Sequence, residues 1–385
     1  MYFIIGRYES THIAKITNEI LEELNPKLLD IDDNIVGIDS RLKKLKSLLS
    51  GHSNDVRVVG IYGTGGIGKT TIAKKVYNEI KCQFNGASFL EGIKEKFKTG
   101  CQLQLQKELL HGILGKDVMF SDINEGINII RSRLRPKKIL VVFDDVDHLQ
   151  QLNSLAQRPN WFRQGSIIII TTRDQSLLVE YEVNAIPYKV TELHDDEALQ
   201  LFCRHAFKQN VPKEDYVDFS KKMVLYAQGL PLALKVLGSY LHGMKKDEWE
   251  SASAELEKNP PKGITDVLRI SFDGLHHSAQ DVFLDIECFF RGEFEDFVSR
   301  ILDGCKHHIK TLHDKCLITI SDNIIQMHDL IQQMGWEIVR EKFPKEPGEW
   351  SRLWDPKDIY CVLTRNTVSE RSCLSSTKIY HFFLK

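Results

Sequence analysis

The chain has 385 residues, 42% of them hydrophobic, which is enough for two or three domains that each bury a core. Its 51 lysines and arginines against 53 aspartates and glutamates give a net charge of -2, so no global positive field gathers nucleic acid. Eight cysteines without a C-x-x-C pair read as reduced thiols, and the apolar run in MYFIIGRYES is too short for a secretory or membrane segment; the expected location is the cytoplasm, with the nucleus as the alternative.

Ile13, Ile16, Ile20 and Leu24 recur at helical spacing before the break NPKLLDIDDN, which predicts a linker helix region over 1–33. Leu42, Leu45, Leu48 and Leu49 predict another helix, with the lysines of RLKKLK on its solvent face. From Asp55 onward VRVVGIY, GASFL, KKILVVFDD, GSIIIITTRD and PYKV read as strands alternating with helices such as TIAKKVYNEIKCQF and LQLQKELLHGIL. That alternation predicts an α/β domain over 34–190, with a mostly parallel sheet and helices on both faces. The runs Ile139–Phe143 and Ile167–Ile170 are apolar throughout, as central strands covered on both faces are.

After residue 190 the period changes. DDEALQLFCRHAF, YVDFSKKMVLYAQ and PLALKVLGSYLHG predict a helical domain over 191–262. Over 263–350 helices are interrupted by a strand pair turning at Ser321 to Asn323, the pattern of a winged-helix domain, and 351–385 is expected to be a C-terminal extension. No repeat of solenoid length is present.

Gly63-Thr-Gly-Gly-Ile-Gly68-Lys69-Thr70 fits G-x-x-x-x-G-K-[ST] between a strand and a helix, the context in which that spacing makes a phosphate-binding loop. Glycines let the backbone N–H groups face phosphates, and the following helix adds its positive end. Lys69 is expected to reach the terminal phosphates and Thr70 to offer its hydroxyl to Mg²⁺. Asp144 and Asp145 end the buried strand beside this loop: Asp144 suits the Mg²⁺ shell, and Asp145 suits orienting or activating a water. Arg173 ends another strand, where it can sense a terminal phosphate, while Asp147 reads as a helix N-cap or turn acid. Cys305, His307, His308, His313 and Cys316 crowd together, but their spacing fits no zinc scheme; they read as core cysteines and solvated histidines. By spacing alone His328 in MHDL is a structural or solvated histidine at a helix start.

Taken together, NIVGI, GTGGIGKTT, KKILVVFDDVDH, GSIIIITTRD, GLPLALKVLGSYL, FLDIECFF and MHDLIQQMGWEIVR resemble the NB-ARC region of plant disease-resistance proteins over about residues 11–360. FDDVD, FLDIECFF and SRLWDP look like the class with an N-terminal TIR domain and C-terminal leucine-rich repeats, flanks absent from this chain. The resemblance implies a P-loop NTPase domain followed by ARC1-like helical and ARC2-like winged-helix domains that close over ADP and open with ATP. It implies that Val36 and Gly37 contact the adenine side, and that Gly65, Gly66, Gly68, Lys69, Thr70 and Thr71 hold phosphates and Mg²⁺. Pro231 would pack on the adenine and His328 would reach the ADP β-phosphate, giving that histidine a role its spacing does not.

The function so implied is an ADP/ATP switch in plant defence signalling, in which Lys69, Asp145 and Arg173 support slow, regulatory hydrolysis. The implied partners are full-length receptor relatives or further copies of the chain on activation, with neither nucleic acid nor membrane required. Two alternatives are a truncated ADP-binding partner that does not signal and a turnover ATPase acting on nucleic acid. Ile167 and Trp350 stand where such proteins usually carry arginine, and Glu287 where a small residue is usual, so Glu287 needs a partner in a packed helix. The divergent ends, MYFII and SERSCLSSTKIYHFFLK, read as those of a truncated product or fragment.

Overall fold

A computed structural model describes residues 28–50, 55–182, 184–256, 262–302, 304–344, 346–365, 367 and 373–374; the helix expected around Ile13 to Leu24 lies outside them. The first domain runs α1 (Ile38–Leu49), β1 (Arg57–Tyr62), α2 (Lys69–Ile80), β2 (Gly86–Leu90), α3 (Ile93–Lys98), α4 (Gln102–Leu114), α5 (Ile123–Leu134), β3 (Ile139–Val146), α6 (Leu149–Ala156), β4 (Ile167–Thr172), α7 (Gln175–Tyr181) and β5 (Ile186–Lys189). Its five strands are parallel in the order β2-β3-β4-β1-β5. Side chains alternate between two cores: Val59, Ile61, Leu140, Val142 and Ile169 enter one, and Val58, Val141, Phe143, Ile168 and Ile170 the other. Both faces are therefore covered, which is why these strands carry no polar alternation. β1 lies between β4 and β5 while the chain goes on to β2 at the far edge, so the loop leaving β1 opens at the carboxyl end of the sheet where neighbouring connections diverge.

The helical domain comprises α8 (Asp195–Phe207), α9 (Val217–Ala227), α10 (Pro231–Leu241) and α11 (Lys246–Leu256). Its centre is Trp249, 1% exposed, which meets Phe202, Phe207, Tyr216 and Phe219 at ring-centroid distances of 5.9, 5.5, 5.1 and 6.4 Å. The buried indole N–H donates to the carbonyl of Leu241 at 3.2 Å, so this aromatic core leaves no polar debt at its centre.

The third unit holds α12 (Lys262–Asp273), α13 (His277–Asp285), a π-helical turn over Ile286–Phe290, α14 (Glu295–Ile301), α15 (Lys306–Asp314), the hairpin β6 (Thr319–Ser321) and β7 (Ile324–Gln326), and α16 (Asp329–Arg340). Ser321 pairs with Ile324, and Asp322 and Asn323 between them have φ of 52° and 62°, the two-residue turn whose twist matches a hairpin. Glu287 is 1% exposed in the π turn; its Oε1 accepts from the Cys288 thiol at 3.0 Å, and its side chain fills the space over Gly335, where a Cβ would stand 2.8 Å from it. The wider turn and the bare glycine together make room for this acid. Ile167 opens β4 and packs in the core.

β8 (Arg352–Leu353), α17 (Pro356–Arg365) and β9 (Cys373–Leu374) follow. The segment after residue 350 stays on the third unit: Trp354 stacks with Trp336 and Trp350, the Arg340 guanidinium lies 5.0 Å from the rings of Trp350 and Trp354, and Arg352 binds Asp281 and Asp285. Trp350 thus takes a stacked, buried place where an arginine would put a second cation beside Arg340. Among the described residues no helix is long and apolar enough to cross a membrane.

Trp249→Ala is expected to lower the stability of the helical domain by about 3 to 5 kcal/mol, read as a fall in urea midpoint; a midpoint within error of wild type would mean that this aromatic cluster is not its core.

Candidate functional site

The chain leaves β1 at Tyr62 and re-enters helix at Lys69, so the six residues between must make the turn. Gly63, Gly66 and Gly68 take φ of 151°, 79° and 96°, values that side chains resist. Lys69 is 8% exposed, and its Nζ donates to the carbonyls of Gly63 at 2.8 Å and Thr64 at 2.9 Å, folding the amine over the loop. Burial, followed by repulsion from Arg173, lowers its pKa from 10.5 to about 8.

β3 delivers the acids. Asp144 is 3% exposed, and its Oδ1 accepts from Thr70 Oγ1 and from Thr171 Oγ1, each at 2.7 Å. Burial pushes this carboxyl above the usual range, opposed by the two hydroxyls. The β3–β4 register shifts between Phe143 and Val146, and Asp145 sits at that irregularity with φ of 55°, its N–H donating to Thr171 Oγ1 at 2.9 Å. Such a bulge re-aims a side chain, and the charge of Asp145 acts on both Lys69 and Arg173. At the end of β4 Arg173 Nη1 lies 3.4 Å from Ser271 Oγ of α12.

The outer side of the loop is bonded to both other domains. The N–H of Leu232, in the first turn of α10, donates to the carbonyl of Gly66 at 3.2 Å, and a Cβ on Gly66 would stand 2.6 Å from that of Leu232. Thr64 Oγ1 donates to the carbonyl of Cys316, just after α15, at 3.0 Å, and Lys315 pairs with Asp174 at 2.8 Å. Beside the loop lies a cavity of about 150 Å³ whose lining includes Val36, Ile67, Gly68, Thr71, Pro231 and His205.

The expected residues therefore divide. Val36, Gly68, Thr71 and Pro231 meet at the cavity, Gly37 adjoins Val36, and Gly65 and Gly66 lie in the loop beside Lys69, Thr70, Asp144 and Asp145. His328 does not line that cavity: it is the N-cap of α16, its Nδ1 accepting from the N–H of Leu330 at 3.1 Å. The expectation that Asp147 caps α6 is corrected. The cap is His148, and Asp147 instead accepts from Gln151 at 2.7 Å and pairs with Lys94 at 3.0 Å. Cys305 and Cys316 part company, one facing the carbonyl of Val298 and the other the phosphate loop; among the described residues no group of three or more His, Cys, Asp or Glu is placed to hold a metal. Thr64, Thr171, Leu232 and Cys316 were missed: the first three stand in the quoted stretches GTGGIGKTT, TTRD and GLPLAL, whereas nothing in local pattern marks Cys316.

The donor set fits a magnesium nucleotide. An amine, a helix N-terminus and glycine N–H groups suit phosphates, the Thr70 and Asp144 oxygens suit a hard divalent cation, and the apolar walls of Val36, Ile67 and Pro231 suit a base.

Residues 38–212 match the NB-ARC domain family, and residues 276–343 match the winged-helix domain of the Roq1-like disease resistance proteins. The disease resistance protein RUN1 of Vitis rotundifolia is 49% identical over 363 residues, covering 93% of this chain and 27% of that protein. The TMV resistance protein N of Nicotiana glutinosa is 45% identical over 370 residues, covering 92% of this chain and 32% of that protein. The chain thus spans about a quarter to a third of the length of these relatives. A Walker-type ATPase of Pyrococcus abyssi superposes with a TM-score of 0.55 at 12% identity, covering 81% of this chain and 99% of that one, a likeness of fold alone.

The lysine sets a pH dependence. A folded pKa near 8 against 10.5 unfolded means that the unfolded chain holds more protons between these values, so stability without ligand rises with pH across that window. Nucleotide affinity runs the other way: it is expected to fall above about pH 8 as the amine loses its charge, by titration calorimetry. An affinity flat to about pH 10 would contradict a buried amine that binds phosphate.

Proposed function

The chain belongs to the NB-ARC proteins of the plant disease-resistance class, and on that premise we propose that it is a nucleotide-operated switch of an intracellular immune receptor, closed around ADP and opened by ATP. One observation carries the reading: the phosphate loop is bonded at Gly66 to the helical domain and at Thr64 to the winged-helix domain. A ligand in that loop acts on the groups that hold three domains together. A ligand shifts a conformational equilibrium only through different affinities for its two states, and a loop shared by all three domains supplies such a difference.

In this reading Gly65, Gly66, Gly68, Thr70 and Thr71 hold the phosphates, and Lys69 leaves the loop carbonyls to neutralise them. Val36, Gly37 and Pro231 enclose the adenine, and Thr70 and Asp144 hold Mg²⁺, which supplies further neutralisation of phosphate charge. Asp145 orients a water and Arg173 balances terminal-phosphate charge, for hydrolysis that resets the switch rather than drives work. His328 is the winged-helix contact for the ADP β-phosphate, reached when its ring turns from its capping role. Partners on activation are further copies of the chain or longer relatives.

Lys69→Ala is expected to weaken ADP and ATP alike by on the order of a hundredfold, as loss of a buried charge-assisted contact does. His328→Ala is expected to weaken ADP severalfold more than ATP in competition against a fluorescent nucleotide. Equal losses for the two nucleotides in the second variant would sink the coupling between nucleotide identity and the winged helix.

A further inference from the structure

The base side of the cavity is not built by the nucleotide-binding domain alone. Asp32, Asn34, Ile35 and Val36 line it, and three cations hold the segment from Asp32 to Gly37. Lys235 on α10 pairs with Asp32 at 2.8 Å, Arg204 on α8 donates to the carbonyl of Ile35 at 2.9 Å, and Arg41 on α1 donates to the carbonyl of Gly37 at 2.6 Å. Two of the three cations come from the helical domain.

Arg41 does more than the other two. The nitrogen that binds Gly37 also pairs with Glu197 in the first turn of α8 at 3.0 Å, and the second terminal nitrogen donates to the carbonyl of Glu192 at 2.8 Å. One guanidinium thus joins the base-side wall, the connection leaving β5 and the first helix of the helical domain, with 11% of its side chain exposed. Only a planar fork reaches such divergent acceptors at once; a lysine serves them as a point charge. Gly37 is shaped to this arrangement. Its φ is 69°, and a Cβ there would stand 2.6 Å from Glu197 and 2.7 Å from Arg41. The wall, the arginine and the acid pack as one unit.

We propose that Arg41 is the positioning residue of the base pocket, setting the Val36–Gly37 wall against the base only while the helical domain is docked through Glu197. The inference rests on the nucleotide reading above and adds to it the route by which base occupancy is tied to the helical domain. Arg41 lines the cavity as well as holding its wall, but has no part in the phosphate loop, so its effect separates by ligand: ADP carries a base, and inorganic pyrophosphate does not.

The test measures release of fluorescent ADP by displacement and, separately, affinity for inorganic pyrophosphate, on the full chain. Arg41→Gln is expected to release ADP on the order of tenfold faster than wild type with pyrophosphate affinity unchanged. Arg41→Lys, which keeps the charge beside Glu197 without the fork, should fall between the two. Release at the wild-type rate, or an equal loss for ADP and pyrophosphate, overturns the assignment. Should Arg41→Gln not fold, Glu197→Gln removes the charge partner from the other side. It is expected to speed ADP release with pyrophosphate affinity again unchanged, and wild-type behaviour there overturns the assignment too. A wild-type chain that binds pyrophosphate but not ADP fails the nucleotide reading and this inference together, whereas a wild-type chain that binds ADP beside an indifferent variant fails the inference alone.

Discussion

The rest of the structure depends on how the loop between β1 and α2 satisfies its own polar groups. A glycine-rich turn that points N–H groups inward leaves oxygens facing outward, and buried oxygens need donors or cations. Here they come from two sources: Gly66 has the Leu232 N–H of the helical domain, and Thr64 and Gly63 share the Lys69 amine within the loop. The Thr64 hydroxyl in turn satisfies the Cys316 carbonyl of the winged-helix unit. The binding loop is therefore also a joint, and a change inside it is felt at both domain contacts.

The joint is asymmetric in strength. Towards the helical domain the contact is broad, with Leu232 packed on Gly66 and Arg41, Arg204 and Lys235 all crossing to or from the wall at residues 32–37. Towards the winged-helix unit, among the described residues, Thr64 meets Cys316, Asp174 meets Lys315, Arg173 meets Ser271, and Tyr226 of the helical domain donates to Gln333 at 2.9 Å. The pair Asp174–Lys315 is 15% and 23% exposed, and partly solvated pairs of this kind contribute modestly. Asp174 also caps α7 through Ser176, so its carboxylate is held in place whichever way the winged helix lies.

Much of this was legible in the sequence because each signal was local. The apolar runs at Ile139–Phe143 and Ile167–Ile170 were too short and too β-branched for buried helices and so read as covered strands, and the glycine, lysine and threonine spacing at residues 63–70 needed a strand before it and a helix after it. The Asp322-Asn323 turn announced its hairpin. Where the reading failed, a competing local group had won: His148 took the cap expected of Asp147, because the acid had Lys94 and Gln151 to serve. Other features were out of reach because they join residues remote in the chain. Nothing in KCLI predicts that the Cys316 carbonyl meets Thr64, and Arg41 looks like one more cation in a basic helix face until Gly37, Glu192 and Glu197 are seen around it. The expectation for Val36 and Pro231, both at the cavity wall, came from resemblance, since apolar residues there carry no spacing of their own.

A switch that rests on its product is distinguished from an ATPase in turnover by what it holds at rest. The direct measurement is the nucleotide released on denaturing the chain purified without added nucleotide, resolved by ion-exchange chromatography against standards. The account predicts ADP in stoichiometric amount; ATP in its place, or a chain that hydrolyses ATP rapidly when DNA or RNA is added, would contradict it.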